Sequence, residues 1–181
     1  MKNTAFTRRD FLKLGAALAA SASLPAEMAS IFAAGLEKMA NLTRIVWLQG
    51  QSCSGDSISL LNSIDPEPAD LLTRYISLVL HQNIGAAQGD VFMETIDKTS
   101  QTGDFILAIE GSIPLNMPKA CVIGGRPFEQ ILLDLIPKAK AVVAVGTCAT
   151  FGGIPAAEGN PTGSGSVQDF MKKHNLPWQN R

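Results

Sequence analysis

Two cysteines, each placed shortly after an apolar run, constrain this chain more than any other feature. Cys53 follows the run Arg44–Leu48, and Cys148 follows the run Ala141–Val145. Both runs are rich in β-branched residues, which is typical of buried strands. In an open parallel α/β sheet, ligands bind just beyond the carboxyl ends of the strands. The pattern therefore predicts two thiols at one edge of a sheet, where they can bind a metal or a cluster.

The segments between these runs indicate the fold class. Phe105–Ile109 predicts another buried strand, and residues 126–136 predict a helix with Pro127 in its first turn. Strands that alternate with helices imply right-handed crossovers and a parallel sheet covered on both faces. We therefore expect an α/β fold with a flavodoxin-like, doubly wound parallel sheet. The sheet is expected to be incomplete at the C-terminus, because residues 176–181 stand where another strand would follow.

Composition narrows the classes of function. The net charge is −1 and only 17% of the 181 residues are charged, so nothing in the sequence provides the basic surface that nucleic acid requires. Three cysteines are an odd number, which argues against a disulfide framework. We therefore expect no nucleic-acid partner. We also interpret the cysteines as candidate ligands of a metal or cluster and not as members of disulfides.

Residues 1–35 have the features of a targeting segment. Two arginines in Thr7–Lys13 precede the short, weakly apolar run Leu14–Leu24, and small residues follow it. This order resembles a twin-arginine export signal, and the apolar run is too short and too rich in Ala and Ser to span a membrane. An amphipathic helix lying on a membrane surface is the alternative. The signal predicts export to the periplasm or to the outer face of the cell membrane.

Seven short segments, in this order and behind this signal, carry a family resemblance. They are Ile45–Leu48, Cys53–Gly55, Glu110–Pro114, Val122–Pro127, Gly146–Ala149, Gly152–Gly153 and Asn160–Pro161. The chain resembles the N-terminal domain of the small subunit of nickel–iron hydrogenases. The resemblance implies that residues 42–181 form a flavodoxin-like domain that holds the proximal 4Fe-4S cluster. The family's C-terminal domain, with further 4Fe-4S or 3Fe-4S clusters, is missing from this sequence, and we expect the chain to be a fragment.

The resemblance also implies which residues bind the cluster. Cys53 and Cys148 match two cysteine ligands of the family, and Asp56 stands where the second cysteine of a Cys-x-x-Cys pair is usual. A branch of the family resembles this sequence in having aspartate at that position. The resemblance therefore implies that Asp56 is an oxygen ligand. The alternative is that Asp56 or Ser57 caps the helix predicted from residue 57. The family's fourth ligand, in a Pro-Gly-Cys-Pro segment, does not occur in this sequence.

Other ionisable residues fit supporting roles. Glu110 ends a buried strand, and the resemblance places it near the cluster and the subunit interface, where a hydrogen-bonding role is at least as well supported as proton transfer. Cys121 fits a small buried apolar residue better than a ligand. His81 and His174 lack metal-ligand spacing, and we expect both to be packing or surface residues.

The resemblance implies the electron-transfer small subunit of an exported uptake hydrogenase. Its partner would be the large subunit that carries the nickel–iron site, in a heterodimer that oxidises H2 and can pass electrons to a membrane acceptor. Two alternatives stay open at this point. The chain can be a flavodoxin-like module that binds a flavin or nucleotide through Gln51–Ser57, or a truncated fragment without activity of its own.

Overall fold

A parallel β-sheet forms the centre of the protein. The computed structural model describes residues 42–177, so the predicted signal at residues 1–35 lies outside the described residues. Four parallel strands pair in the order β2-β1-β3-β7: β1 Thr43–Gln49, β2 Ile76–His81, β3 Ile106–Glu110 and β7 Ala141–Val145. The parallel α/β sheet predicted from the apolar runs is confirmed.

Six α-helices and two short ribbons complete the described part of the chain. The helices are α1 Gly55–Leu61, α2 Pro68–Asp70, α3 Gly89–Thr102, α4 Phe128–Leu135, α5 Gly146–Phe151 and α6 Val167–Lys173. A π-helical turn, Leu71–Tyr75, leads from α2 into β2, and 3-10 turns occupy Pro118–Ala120, Ile136–Lys138 and Ile154–Ala156. The antiparallel ribbons pair β4 Ile113–Pro114 with β8 Ser164–Gly165, and β5 Val122–Ile123 with β6 Arg126–Pro127. Within residues 42–177, no helix is long and apolar enough to cross a membrane.

The strand order creates a switch point between β1 and β3. The chain places β2 on one side of β1 and then returns to place β3 on the other side. Gln49 pairs with Glu110, and Glu110 pairs with Val145, so β1, β3 and β7 end at the same level. In open α/β sheets this is the crevice where ligands bind. The connections that leave these three strands therefore meet at one edge.

The core explains why the helices pack on this sheet. Leu107 and Ile109 of β3 are fully buried. The apolar residues of α4 recur at helical spacing, and the buried ones are Phe128, Ile131, Leu132 and Leu135. The last helix, α6, begins with a capping box in which the side chains of Ser166 and Asp169 each accept from the other's backbone N–H.

Two predicted helix starts are wrong by a few residues. Helix α1 begins at Gly55 after Ser54, whose φ of 62° places it in the left-handed region, so neither Asp56 nor Ser57 is the N-cap. The helix therefore begins two residues before the start that the capping residues predicted, and Asp56 lies inside its first turn. Helix α4 begins at Phe128, because Pro127 pairs in the β5–β6 ribbon and has an extended backbone.

Candidate functional site

Cys53 and Cys148 line the same cavity at the carboxyl edge of the sheet. Cys53 lies in the connection from β1 to α1, and Cys148 lies in α5 directly after β7. The cavity has a volume of about 340 Å³. Its lining residues are Gln51, Ser52, Cys53, Cys148, Ile154 and Pro155. Two cysteines that are 95 residues apart in sequence therefore face one space, as the paired strand–cysteine pattern predicts.

Asp56 lies against the first residue of α5. A β-carbon added at Gly146 would lie 2.5 Å from Cγ and 2.6 Å from Oδ1 of Asp56, which is far inside van der Waals contact. Gly146 also has φ +77°, a conformation that L side chains rarely adopt. The carboxylate therefore occupies space that only glycine leaves open, two residues before Cys148. Asp56 itself is not among the residues that line the cavity of the two cysteines.

A second glycine fits the chain closely behind Cys148. A β-carbon at Gly153 would lie 2.7 Å from Cα and 3.0 Å from Cβ of Cys148, and the φ of this glycine is +58°. The chain leaving α5 therefore turns back directly over the cysteine. Any larger residue at 153 would have to displace Cys148.

The donor set fits an iron–sulfur cluster in part. Soft thiolates are the usual ligands of such clusters. Cys53 is exposed and Cys148 is half-buried, and both are free thiols. Within residues 42–177, no three His, Cys, Asp or Glu side chains converge closely enough to hold a single metal ion. A four-iron cluster distributes its ligands over different irons, so it does not need that convergence.

Cys121 is not among the residues that line the cavity of the other two cysteines. Its half-buried side chain packs against the hydrophobic core, and burial raises the pKa of the thiol to about 11. A thiol with this pKa stays protonated near neutral pH, and thiolate is the form that binds metals. The prediction that Cys121 behaves as a small apolar residue agrees with this environment.

Glu110 is completely buried at the end of β3 and accepts four side-chain hydrogen bonds. Oε2 accepts from Nε1 of Trp47 and from Nε2 of Gln49, both at 3.0 Å, and from the hydroxyl of Ser57. Oε1 accepts from the hydroxyl of Ser52 at 2.9 Å. Burial alone would raise the pKa of Glu110, but these hydrogen bonds together hold the pKa below its ordinary value. The carboxylate is therefore ionised near neutral pH.

His81 continues this network, and sequence reasoning did not find that role. The ring is fully buried at the end of β2, and its Nε2 lies 3.0 Å from Oγ of Ser57. Its Nδ1 accepts from the backbone N–H of Asn83 at 3.1 Å. Burial lowers the pKa of His81 although Glu110 opposes that effect, so the ring is neutral near pH 7. No local signal in the sequence marks this role, because a single histidine has no catalytic or metal-ligand spacing to a second residue.

Comparison with known proteins identifies the family. Residues 53–177 match the family model described as NADH ubiquinone oxidoreductase, 20 Kd subunit. Since the match covers more than half of the chain, the protein belongs to this family. A resemblance to hydrogenase small subunits was predicted from the sequence motifs, and the individual relatives confirm it.

The relatives are hydrogenase small subunits, to which this chain is homologous. The chain is 36% identical to the periplasmic [NiFeSe] hydrogenase small subunit of Desulfomicrobium baculatum over 91% of its own length and 56% of that protein's. It is 36% identical to the uptake hydrogenase small subunit of Azotobacter vinelandii, over 90% of this chain and 46% of the relative. Among solved structures, the [NiFeSe] hydrogenase of Desulfovibrio vulgaris Hildenborough matches with a TM-score of 0.73 and 40% identity, over 76% of this chain and 52% of that one. The chain spans about half the length of the relatives it matches.

The export signal is also confirmed by comparison. Residues 5–25 match the model of the twin-arginine translocation signal sequence. The expected route of export is therefore supported independently of the resemblance to hydrogenases. The chain is exported by the twin-arginine route.

Proposed function

We propose that this chain is the electron-transfer small subunit of an exported nickel–iron uptake hydrogenase. In this proposal residues 42–181 form the domain that holds the proximal 4Fe-4S cluster. The observation that carries the proposal is the cavity shared by Cys53 and Cys148 at the carboxyl edge of β1 and β7. Hydrogenase small subunits among the relatives support the same assignment.

Three side chains are proposed as ligands. Cys53 and Cys148 supply thiolates, and Asp56 supplies a carboxylate oxygen from the first turn of α1. The contact between Asp56 and Gly146 supports this role, because it holds the carboxylate beside the segment that leads to Cys148. Carboxylate is a harder ligand than thiolate, so it is expected to change the reduction potential of the cluster.

The bound cluster would supply one-electron transfer. The chain itself contributes a fixed site for the cluster, hydrogen bonds around that site, and exclusion of water. Further 4Fe-4S or 3Fe-4S clusters are proposed to belong to the part of the relatives that this chain does not span.

A large subunit with the nickel–iron site is the proposed partner in a heterodimer. Phe151, the last residue of α5, and Ile154, three residues further on, support a protein contact on this side of the domain, because these apolar residues are 78% and 86% exposed. Ile154 also lines the cavity that the two cysteines share. A partner that covers these side chains would bury them and exclude water from the site at the same time. A membrane electron acceptor on the outer side of the cell membrane is proposed for the complete enzyme.

The alternative of a flavin or nucleotide module has less support. Such a module binds phosphate at the N-terminus of the helix after β1. Here that first turn carries the carboxylate of Asp56, which would repel a phosphate. No observation on the described residues favours that alternative.

The proposal is tested by co-expression of the full chain with a hydrogenase large subunit under anaerobic conditions. We expect the purified complex to contain iron and acid-labile sulfide and to give an electron paramagnetic resonance signal after reduction. Cys53→Ala and Cys148→Ala are expected to lose most of this iron. Cys121→Ala is the matched control and should keep it, because that thiol packs against the hydrophobic core and does not line the cavity. A wild-type chain without iron or sulfide would overturn the proposal.

A further inference from the structure

Glu110 holds a segment of chain that the proposed function uses. An ionised carboxylate is costly to bury unless hydrogen bonds satisfy it. Two of its four donors, Trp47 and Gln49, belong to β1 and therefore connect Glu110 to the sheet itself. The other two donors, Ser52 and Ser57, belong to the connection that follows β1.

The two serines bracket the proposed ligands. Ser52 directly precedes Cys53, and Ser57 directly follows Asp56. One carboxylate therefore binds both ends of the segment that carries these ligands. Oγ of Ser52 also accepts from the backbone N–H of Ser54 at 3.0 Å, which supports the left-handed conformation of Ser54. We define residues 52–57 as the ligand turn.

His81 fixes the direction of the hydrogen bond from Ser57. Because Nδ1 of His81 accepts from the backbone of Asn83, the neutral ring carries its proton on Nε2. That N–H donates to Oγ of Ser57 at 3.0 Å, so the hydroxyl proton of Ser57 is free to point to Glu110. The donors form an ordered chain from β2 through the ligand turn to β3.

We propose that Glu110 is a positioning residue that ties both ends of the ligand turn to the sheet and acts as the fixed negative charge beside it. The role of the charge rests on the proposed function, whereas the positioning role does not. An anion held in a poorly hydrated site repels an added electron, so Glu110 lowers the reduction potential of the group that Cys53 and Asp56 hold.

The first test removes the negative charge of Glu110 but keeps its hydrogen bonds to the ligand turn. Glu110→Gln keeps the shape of the side chain: its oxygen can accept from Trp47, Gln49 and Ser57, and its amide can donate to Ser52. We expect this variant to keep its iron and to show a more positive midpoint potential in a redox titration followed by electron paramagnetic resonance. Glu94→Gln is the matched control. It removes one negative charge from the solvated surface of α3, where Glu94 pairs with Lys98, and should leave the potential unchanged.

The second test removes the hydrogen bonds between Glu110 and the ligand turn, and its readout does not depend on a bound cluster. Glu110→Ala removes all four acceptor contacts, and Ser57→Ala removes the one at the end of the turn. We expect both variants of the full chain to exchange the amide hydrogens of residues 52–57 faster than wild type, with the larger change in Glu110→Ala. Glu110→Gln should exchange at close to the wild-type rate.

The outcomes distinguish this inference from the proposed function. A wild-type chain without iron would overturn the proposed function, and hydrogen exchange would still decide the positioning role. Wild-type exchange rates in Glu110→Ala would overturn that role. A loaded Glu110→Gln with the wild-type potential, or one that fails to load while its turn exchanges normally, would overturn the role of the charge.

Discussion

The contact between Asp56 and Gly146 makes a quantitative prediction for Gly146→Ala. The substitution places a methyl group where the structure has the carboxylate of Asp56, and it forces alanine to adopt a φ of +77°. Two costs follow, one from the backbone and one from the overlap. Gly125→Ala isolates the first cost, because Gly125 has φ +81° and a β-carbon there would meet nothing within 4 Å.

The two costs can be estimated separately. A left-handed conformation costs an L residue about 1–2 kcal/mol, so Gly125→Ala should lower the free energy of unfolding by about that amount. In Gly146→Ala the short side chain of Asp56 must also leave its position. Rotation away from a preferred side-chain conformation adds about 0.5–1.5 kcal/mol. The excess over Gly125→Ala should disappear in a chain that also carries Asp56→Ala, because the overlapping group is then gone.

Urea unfolding of the full chain and the iron content of the complex measure the two effects. We expect Gly125→Ala to keep its iron, whereas Gly146→Ala should lose iron to the same extent as Asp56→Ala, with no further loss in the double variant. If Gly146→Ala is no less stable than Gly125→Ala and binds iron normally, the assigned position of Asp56 is wrong.

Three further predictions address the ligand, the buried network and the last helix. Asp56→Cys should retain the cluster with an altered midpoint potential, and an unchanged potential would mean that Asp56 is not a ligand. Burial lowers the pKa of His81 from its ordinary value of 6.5, so below that pH the unfolded chain binds a proton that the folded chain does not. The free energy of unfolding should therefore decrease as the pH is lowered below that value, by at most about 1.4 kcal/mol per pH unit. His81→Asn, whose amide oxygen can replace Nδ1 as an acceptor, should flatten this dependence in urea unfolding, whereas a slope parallel to wild type would exclude His81 as its source. Ser166→Ala removes the cap of α6 and should cost about 1 kcal/mol in thermal unfolding without loss of iron; iron loss would mean that α6 supports the site.

The strands could be predicted from the sequence because local patterns determine them. Ala141–Val145 is a strand within the bounds that its apolar run indicates, and Phe105–Ile109 is displaced by one residue to Ile106–Glu110. The position of both cysteines after their strands follows from the same patterns. Parallel strands must be connected by crossovers, so even the meeting of Cys53 and Cys148 at one edge could be anticipated.

The network around Glu110 could not be predicted, because its contacts join distant parts of the chain. Ser57 and Glu110 are 53 residues apart, and His81 approaches Ser57 from a third segment. No local spacing marks such a set, and a single histidine in β2 is indistinguishable from an ordinary packing residue. The start of α1 was misplaced for a related reason. Ser54 adopts a left-handed conformation within a turn that Ser52 and Glu110 hold, and capping preference does not include that constraint.

Trp47 is an intrinsic fluorescent probe of the buried hydrogen-bond network around Glu110. Its indole is 8% exposed, donates to Glu110 at 3.0 Å, and has its ring centre 5.3 Å from that of His81. The sequence contains one other tryptophan, Trp178, which lies outside the described residues. A Trp178→Phe chain, excited at a wavelength that tyrosine does not absorb, would therefore emit from Trp47 alone. Its intensity and colour would register neutralisation of Glu110 or the arrival of a light-absorbing iron–sulfur group without any added dye.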